Sequence, residues 1–236
     1  MTRRFLAFDL ETAKEVPGED FNWRPHRPLG ITCAATLTGD TGDLRHWSTM
    51  AKPDQHAPRM SRDDIIGLLH YLEGKSAEGY DVLSWNGLGF DFDVLAEESG
   101  DLPRCRALAQ GHVDMMFHVV CALGYPVSLD KAAEGMKVPG KAAGMSGRLA
   151  PQMWAQGRHK DVLGYVAQDV RLTLAIADAA EKRRSFAWIT RKGTRSTLAL
   201  PQGWLPVRDA LCLPEPDTSW MTKPMKRRDF MNWALG

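Results

Sequence analysis

The sequence predicts an α/β domain with a mixed central sheet and helices on both faces. Three strand-like stretches come early in the chain, and later strand-like stretches alternate with helical ones. The longest helical stretch, residues 161–182, follows them and repeats apolar residues at helical spacing. Early strands followed by alternating strands and helices are typical of a sheet that is covered on both sides. The pattern does not determine the order of the strands.

The first predicted strand, residues 5–12, ends in two carboxylates one residue apart, Asp9 and Glu11. Because strand side chains alternate between faces, both acids point to one face, while Phe8 and Leu10 point into a core. Neighbouring carboxylates repel each other, and a divalent cation is the usual partner of such a pair. Solvated acids at an ordinary strand end give the same pattern, so the pair alone does not identify a metal site.

Loops and strands alternate before the first helix. Residues 13–29 are polar and contain prolines, which predicts a surface loop near the carboxylate pair and a place for substrate contacts. Strands are predicted at residues 31–37 and 44–47, which a glycine-bearing turn joins. Residues 50–60 are predicted to form a polar loop.

The first helix is predicted to begin after Ser61, a residue suited to cap a helix that has two aspartates in its first turn. An apolar run at residues 81–85 predicts a buried strand, and a glycine-bearing turn at 86–91 follows it. Helical patterns resume at residues 92–98 and 102–110.

The rest of the domain is predicted to be mostly helical. Residues 113–123 are apolar enough for a short strand that runs into a helix, and a further helix is predicted at 129–136. Residues 137–147 are glycine-rich and predict a loop. A short helical piece at 149–154 precedes the long helix at 161–182.

Beyond the long helix the composition changes. Residues 186–189 and 196–200 flank a basic turn, which predicts a hairpin. From Pro201 the chain is rich in proline and tryptophan, so we expect an extended arm that wraps the domain. We therefore divide the chain into a domain of residues 1–182 and a hairpin and arm of residues 183–236 that pack on it.

Basic and aromatic side chains are concentrated in this C-terminal part. The basic residues could contact the phosphates of a single strand or form a solvated face, and the tryptophans could stack on bases or anchor the arm. The basic clusters are Lys182, Arg183, Arg184, Arg191, Lys192 and Arg195, then Lys223, Lys226, Arg227 and Arg228; the tryptophans are Trp188, Trp204, Trp220 and Trp233.

Composition limits the classes of protein that the chain can belong to. Its 236 residues, 44% of them hydrophobic and 25% charged, suit a globular domain with a substantial core. The net charge of +1 excludes a strong overall field, so nucleic-acid binding would depend on local patches. Four cysteines without a C-x-x-C pair argue against a disulfide framework or a zinc site. No stretch suits a signal peptide or a membrane span, so we expect a cytoplasmic protein with no membrane partner.

Two further acids lie at positions marked by strong local signals. Asp91 follows a strand and a turn, where it could cap a helix or bind a ligand. Asp169 lies in the apolar stripe of the long helix, where an unpaired carboxylate is costly. Tyr165 precedes it by four residues on the same face and could be a core residue or part of a site. His112 with Asp114 could border such a site or have a structural role.

Together these residues form a recognisable pattern: D-x-E at Asp9 and Glu11, N-x-x-x-F-D from Asn86 to Asp91, and Y-x-x-x-D at Tyr165 and Asp169. The pattern resembles the three exonuclease motifs of the DEDD (DnaQ-like) 3′–5′ exonucleases over roughly residues 4–180. The tyrosine form occurs in the proofreading domains of family A and family B DNA polymerases, and the second motif looks most like the family B version. The histidine subclass has a histidine where this chain has Gly164, which excludes that subclass.

The resemblance implies a ribonuclease H-like fold and a site of four carboxylates, Asp9, Glu11, Asp91 and Asp169. Hard oxygen ligands of this kind suit Mg²⁺ or Mn²⁺, and two such ions about 3.5–4 Å apart can clamp an in-line displacement at phosphorus.

The resemblance also implies roles for residues around the carboxylates. Tyr165 would hydrogen-bond and orient the attacking water, since a phenol is a poor general base at neutral pH. The residues that would contact the terminal nucleotides are Leu10, Thr12, Asn86 and Phe90.

We therefore expect a metal-dependent 3′–5′ exonuclease that acts on single-stranded 3′ ends, preferably of DNA, and releases nucleoside 5′-monophosphates. One alternative is an exoribonuclease that trims RNA 3′ ends. Another is a catalytically silent nucleic-acid-binding module, against which the presence of all four acids and the tyrosine argues. No polymerase follows the domain in this sequence, so we expect a free-standing enzyme or one that works beside a separate polymerase or repair complex.

Overall fold

Five strands form the central sheet of the computed structural model, which describes residues 3–18, 21–140 and 147–234. From one edge to the other they are β3 (Leu44–Trp47), β2 (Ile31–Thr38), β1 (Phe5–Thr12), β6 (Asp81–Ser84) and β7 (Val113–Asp114). Neighbours among the first three pair antiparallel, whereas β6 runs parallel to β1 and β7 runs parallel to β6. The predicted mixed sheet is confirmed, and its order places β1 at the centre.

Helices cover both faces of this sheet. They are α1 (Arg62–Ala77), α2 (Asp91–Ser99), α3 (Leu102–Gly111), α4 (Met115–Leu123), α5 (Leu129–Met136), α6 (Ala150–Ala155), α7 (His159–Arg183), α8 (Val207–Ala210) and α9 (Arg227–Met231). Ser61 caps α1 as predicted, because its hydroxyl oxygen accepts the Asp64 N–H at 3.2 Å. Across the ranges that the structure describes, no helix has the length and apolar character needed to cross a bilayer.

Strand β1 separates two apolar clusters, because its side chains alternate between the faces of the sheet. The odd-numbered residues, from Phe5, pack with the apolar stripe of α7. The even-numbered residues, from Leu6 to Leu10, are buried on the other face against helices α1 to α4. Asp9 and Glu11 continue the odd-numbered row. Alternation along β1 therefore directs both carboxylates to the side of the sheet that α7 covers.

The segment predicted as a polar loop at residues 50–60 contains a small hairpin. Its strands, β4 (Met50–Lys52) and β5 (Gln55–His56), pair antiparallel and lie outside the central sheet. Both strands are very short and mostly exposed. They therefore lack the alternation of buried and exposed side chains by which a strand is recognised in a sequence.

The region after α7 contains more regular structure than the sequence predicts. The predicted hairpin is present as β8 (Ser185–Ile189) and β9 (Arg195–Ala199). The segment that follows, expected to be extended, contains the short helices α8 and α9. Tertiary packing stabilises α9, because Phe230 is buried and the centre of its ring lies 5.5 Å from the centre of the Phe117 ring. A five-residue helix has too little periodicity of its own to be predicted.

Two kinds of contact anchor the C-terminal segment on the domain. The guanidinium of Arg227 donates a hydrogen bond to the carbonyl oxygen of Cys121 on the domain. It also donates to the carbonyl oxygens of Leu211 and Pro214 within the segment. Trp204 is completely buried, and its ring lies 5.3 Å from that of His118 on α4. Among the other tryptophans of this region, Trp188 is buried, Trp233 is half-buried and Trp220 is 70% exposed.

Candidate metal centre

Three carboxylates meet near the carboxyl end of β1. Asp9, Glu11 and Asp169 each offer an oxygen, and these oxygens all lie within 4.8 Å of one another. Asp9 is half-buried, and the other two are buried. In the part of the chain that the structure describes, this is the one group of three or more acidic, histidine or cysteine side chains so arranged.

Helix α7 brings Asp169 and Tyr165 to this place. The two residues are four positions apart, so they lie on the same face of the helix, and both are buried. Val166 and Val170 belong to the same buried stripe and pack in the cluster that contains Phe5. Apolar packing of α7 on β1 therefore positions the carboxylate and the phenol opposite the acids of the strand.

Gly147 brings another part of the chain close to these groups. A Cβ atom placed on this residue would lie 3.6 Å from Oε2 of Glu11 and 3.8 Å from Oη of Tyr165. The carboxylate and the phenol therefore border the same space, which a larger side chain at this position would enter. Nothing in the sequence marks Gly147, because it is one of several glycines in a glycine-rich stretch.

Asp91 approaches from α2, of which it is the first residue. Its Oδ1 accepts a hydrogen bond from the N–H of Leu10 at 3.1 Å. The pairing of β6 with β1 covers only residues 5–7 of β1, so Leu10 lies beyond it and Asp91 supplies the acceptor for this buried N–H. The carboxylate thus bonds to the strand rather than capping its own helix, and it lies outside the group of three.

Burial raises the pKa of Asp91 to about 7. The hydrogen bonds from the N–H of Leu10 and from its own N–H lower this pKa, while the carboxylates of Asp114 and Asp169 raise it further. The effect of Asp169 shows that these two acids interact electrostatically. Three predicted ligands therefore meet directly, and the fourth is an electrostatic neighbour of one of them.

Asp114, at the end of β7, holds the turn that precedes Asp91. Its Oδ1 accepts the N–H of Asn86 at 3.0 Å, and its Oδ2 accepts the N–H of Leu88 at 2.9 Å. Asn86 has a φ of 72°, in the left-handed region that asparagine tolerates. Burial raises the pKa of Asp114 to about 6. The sequence left two roles open for Asp114, bordering a site or a structural one, and the structure shows the structural role; the bonds to this turn leave no signal in the sequence.

His112 has a structural role, one of the two that the sequence left open. Its Nε2 lies 3.0 Å from the hydroxyl oxygen of Ser84, and its Nδ1 lies 2.6 Å from the carbonyl oxygen of Ala109. Burial lowers the pKa of His112 to about 4, so the ring is neutral at pH 7.

The residues expected to contact nucleotides lie in two settings. Asn86 and Phe90 are half-buried at the surface, and the Phe90 ring lies 5.2 Å from the ring of Trp23. Leu10 and Thr12 are only 3% and 6% exposed, so little of either side chain is available to a ligand. The structure therefore brings Asn86 and Phe90 to an accessible surface and leaves Leu10 in the core of the domain.

The two basic clusters are partly occupied by internal contacts. Arg183 donates to the carbonyl oxygen of Met136, and Arg195 donates to that of Gly135. Arg227 is one of the anchors of the C-terminal segment. These three guanidinium groups therefore have structural roles.

The chemistry of the three carboxylates suits a hard divalent cation. Carboxylate oxygens are the ligands that Mg²⁺ and Mn²⁺ prefer, and three of them converge here from β1 and α7. Bringing three like charges this close is unfavourable without a cation, particularly when two of the residues are buried. The group can therefore hold a metal ion.

Comparison with known proteins agrees with this fold. A family B DNA polymerase from the hyperthermophilic archaeon Pyrobaculum calidifontis is similar over 91% of this chain, with 22% sequence identity and a TM-score of 0.60. The chain spans 28% of the length of that polymerase. No curated protein matches the sequence. The sequence profile of the RNase H superfamily matches residues 25–180, which confirms the ribonuclease H-like fold expected from the motifs. The chain therefore belongs to the RNase H superfamily.

Proposed function

We propose that this chain is a metal-dependent 3′–5′ exonuclease that hydrolyses phosphodiester bonds at the 3′ ends of single-stranded nucleic acid, with DNA as the preferred substrate. The observation that supports this most is the convergence of Asp9, Glu11 and Asp169, with the Tyr165 hydroxyl beside the space that Glu11 borders. The likeness to a DNA polymerase supports the fold, and the carboxylates support the chemistry.

Each residue of the site has a proposed role. Asp9, Glu11 and Asp169 would hold divalent cations, and Asp91 would face them from the first turn of α2. Two divalent cations held there would supply activation of a water and neutralisation of charge at the reacting phosphate. Tyr165 would donate its hydroxyl hydrogen bond to orient the attacking water.

The turn before α2 would position the end of the strand. Asn86 and Phe90 are accessible and lead directly to Asp91, so they would line the path of the terminal nucleotides. The product would be a nucleoside 5′-monophosphate, because the bond broken is the one to the 3′ oxygen of the preceding nucleotide.

A labelled oligonucleotide tests the proposal. Single-stranded DNA and RNA of the same sequence, labelled at the 5′ end, are incubated with Mg²⁺, Mn²⁺ or EDTA. We expect a ladder that shortens from the 3′ end with either metal, no cleavage in EDTA, and faster cleavage of the DNA. The matched inactive protein is Asp169→Asn, which keeps the shape of the side chain and removes its charge.

Other outcomes would contradict specific parts of the proposal. Faster cleavage of RNA would favour the exoribonuclease alternative. Products that arise from internal cleavage would contradict exonuclease action. Binding of both oligonucleotides without cleavage under any metal condition would favour the silent binding module.

A further inference from the structure

A cleft of about 470 Å³ lies beside the turn that carries Asn86 and Phe90. Five stretches of the chain line it: residues 21–24, residues 86–90, Met116, residues 126–128 and residues 225–230. We call it the aromatic cleft, because most of its large side chains are aromatic. None of the motif residues except Asn86 and Phe90 lines it.

The side chains of the cleft present flat apolar surfaces. The ring of Phe90 lies 5.6 Å from that of Phe21 and 5.2 Å from that of Trp23. Phe21 and Phe90 are half-buried, so each ring keeps part of its surface accessible. Aromatic surfaces of this kind bind unpaired nucleobases by stacking, with little preference among the bases.

Two arginines lie beside these rings, and the acidic residue Asp229 also lines the cleft. The guanidinium of Arg24 lies 4.8 Å from the centre of the Trp23 ring, and that of Arg148 lies 5.9 Å from the centre of the Phe21 ring. Both arginines are exposed, and each already has a contact: the guanidinium of Arg24 lies 3.8 Å from Oδ2 of Asp93, and Arg148 donates to the carbonyl oxygen of Gly18 at 3.2 Å. Aromatic surfaces flanked by guanidinium groups complement a nucleotide, whose base is flat and whose phosphate is anionic.

Two short stretches of the chain link the aromatic cleft to the site of the carboxylates. Arg148, which contacts the cleft wall at Phe21, directly follows Gly147, and a Cβ on Gly147 would lie 3.6 Å from Oε2 of Glu11. On the other side, Phe90 directly precedes Asp91. Two residues that lie at the cleft, Arg148 and Phe90, are therefore immediate chain neighbours of residues at the carboxylate site.

The C-terminal segment forms one wall of the cleft and contacts the turn at residues 86–90. Trp233 donates its indole N–H to the carbonyl oxygen of Leu88 at 2.7 Å. A Cβ on Gly89 would lie 2.8 Å from Cδ1 of Phe230, so only glycine allows this approach. The cleft therefore exists only because residues far beyond the third motif pack against the second motif.

We propose that the aromatic cleft binds one unpaired nucleotide of a single-stranded substrate, with its base against Phe21 and Phe90 and its phosphate near Arg24 and Arg148. This subsite rests on the proposed exonuclease function, which supplies the strand that enters it. Single-stranded DNA and single-stranded RNA both supply an unpaired nucleotide, and separate DNA and RNA probes show which of them binds.

Two substitutions test the subsite in the full-length chain. Phe21→Ala removes one aromatic wall, and Met116→Trp fills the cleft from its α4 side. The matched control is Trp220→Ala, which removes an exposed aromatic residue of the C-terminal segment that does not line the cleft. Circular dichroism checks the fold of each variant. If Phe21→Ala does not fold, the binding result of Met116→Trp tests the subsite by itself.

Binding is measured by fluorescence anisotropy with labelled hexathymidylate and hexauridylate in EDTA, and cleavage of the same probes is measured with Mn²⁺. We expect both cleft substitutions to weaken binding about tenfold, which is the size of one lost stacking contact, and the control to bind within about twofold of the original protein. Two results would overturn the subsite. One is that both substitutions leave the affinity for the probes unchanged, and the other is that the original protein binds neither probe.

The two measurements separate the subsite from the proposed function. Cleavage that proceeds normally in both cleft variants, together with unchanged binding, would refute the subsite and leave the exonuclease proposal intact. Binding that depends on the cleft without any metal-dependent cleavage would refute the exonuclease proposal and support the subsite.

Discussion

The side-chain carboxyl of Asp91 accepts a hydrogen bond from the backbone N–H of Leu10, although the two residues are 81 positions apart in the chain. Leu10 stands between Asp9 and Glu11, so this bond ties the first turn of α2 to the strand that carries both acids. This hydrogen bond lies beyond the part of β1 that pairs with β6. The position of one carboxylate is therefore coupled to the backbone between two others.

This contact predicts different results for two substitutions of Asp91. Asp91→Asn keeps an oxygen that can accept the Leu10 N–H, whereas Asp91→Ala leaves that buried N–H without its acceptor. We expect Asp91→Ala to lower the free energy of unfolding by about 1–3 kcal/mol and Asp91→Asn to lower it by less. Urea denaturation of the metal-free proteins measures the difference. Equal destabilisation by both would show that the bond is not what stabilises this region.

Divalent cations should stabilise the fold, because only the folded state brings the three carboxylates together. At a Mn²⁺ concentration about 100 times the dissociation constant, we expect the free energy of unfolding to rise by about 2.7 kcal/mol. Thermal unfolding with and without EDTA measures this stabilisation, which should be lost in Asp169→Asn.

Asp178→Asn is the matched control for that experiment, since Asp178 is an exposed acid on the same helix and lies outside the group of three. It should keep the full stabilisation by Mn²⁺. A metal effect that survives in Asp169→Asn, or that disappears in Asp178→Asn, would mean that the ion binds elsewhere.

The Tyr165 hydroxyl should affect the rate of cleavage more than the binding of substrate. Tyr165→Phe removes the group proposed to orient the attacking water and keeps the ring that is buried on α7. We expect kcat to fall about tenfold or more, which corresponds to the loss of about 1.4 kcal/mol of transition-state stabilisation, with little change in KM. Steady-state cleavage of a single-stranded oligonucleotide provides both constants. A changed KM with an unchanged kcat would assign the hydroxyl to substrate binding.

His118 should make stability depend on pH. Burial and, to a smaller extent, the charge of Arg3 lower the pKa of this histidine to about 4 from an ordinary value of 6.5, and its Nδ1 accepts the N–H of Leu205 at 3.1 Å. The folded state keeps the ring neutral, so its contribution is complete above pH 6.5 and is lost as the pH falls towards 4. At pH 5 the loss should be about 2 kcal/mol.

A variant that cannot titrate isolates this effect. His118→Gln retains an acceptor for the Leu205 N–H but has no ionisable ring. We expect the difference in free energy of unfolding between the original protein and the variant to shrink by about 2 kcal/mol between pH 7 and pH 5. Other titrating groups are common to both proteins and cancel. A difference that stays constant over this range would contradict the lowered pKa.

Several features of the site follow from local periodicity alone. The alternation of β1 places Asp9 and Glu11 on one face, and the four-residue spacing places Tyr165 and Asp169 on one face of α7. These predictions hold because each depends on the geometry of a single element. For the same reason, the mixed α/β class and most of the helices could be predicted from the sequence.

Other features were decided only by packing between distant segments. Three contacts join residues that no periodic pattern relates. They are the hydrogen bond from Leu10 to Asp91, the hydrogen bond from Asn86 to Asp114, and the close approach of Phe230 to Gly89. The short helices α8 and α9 belong to the same group, because too few residues are involved for local preference to stabilise them.

The sequence by itself therefore determined which residues could carry the chemistry and which face of its own element each of them occupies. The tertiary structure decided that three of the carboxylates meet, that the fourth is tied to the strand between two of them, and that a cleft opens beside the turn that precedes the fourth. The physical reason is that side-chain direction within an element is set by its backbone repeat, whereas the distance between elements is set by apolar burial across the whole sheet.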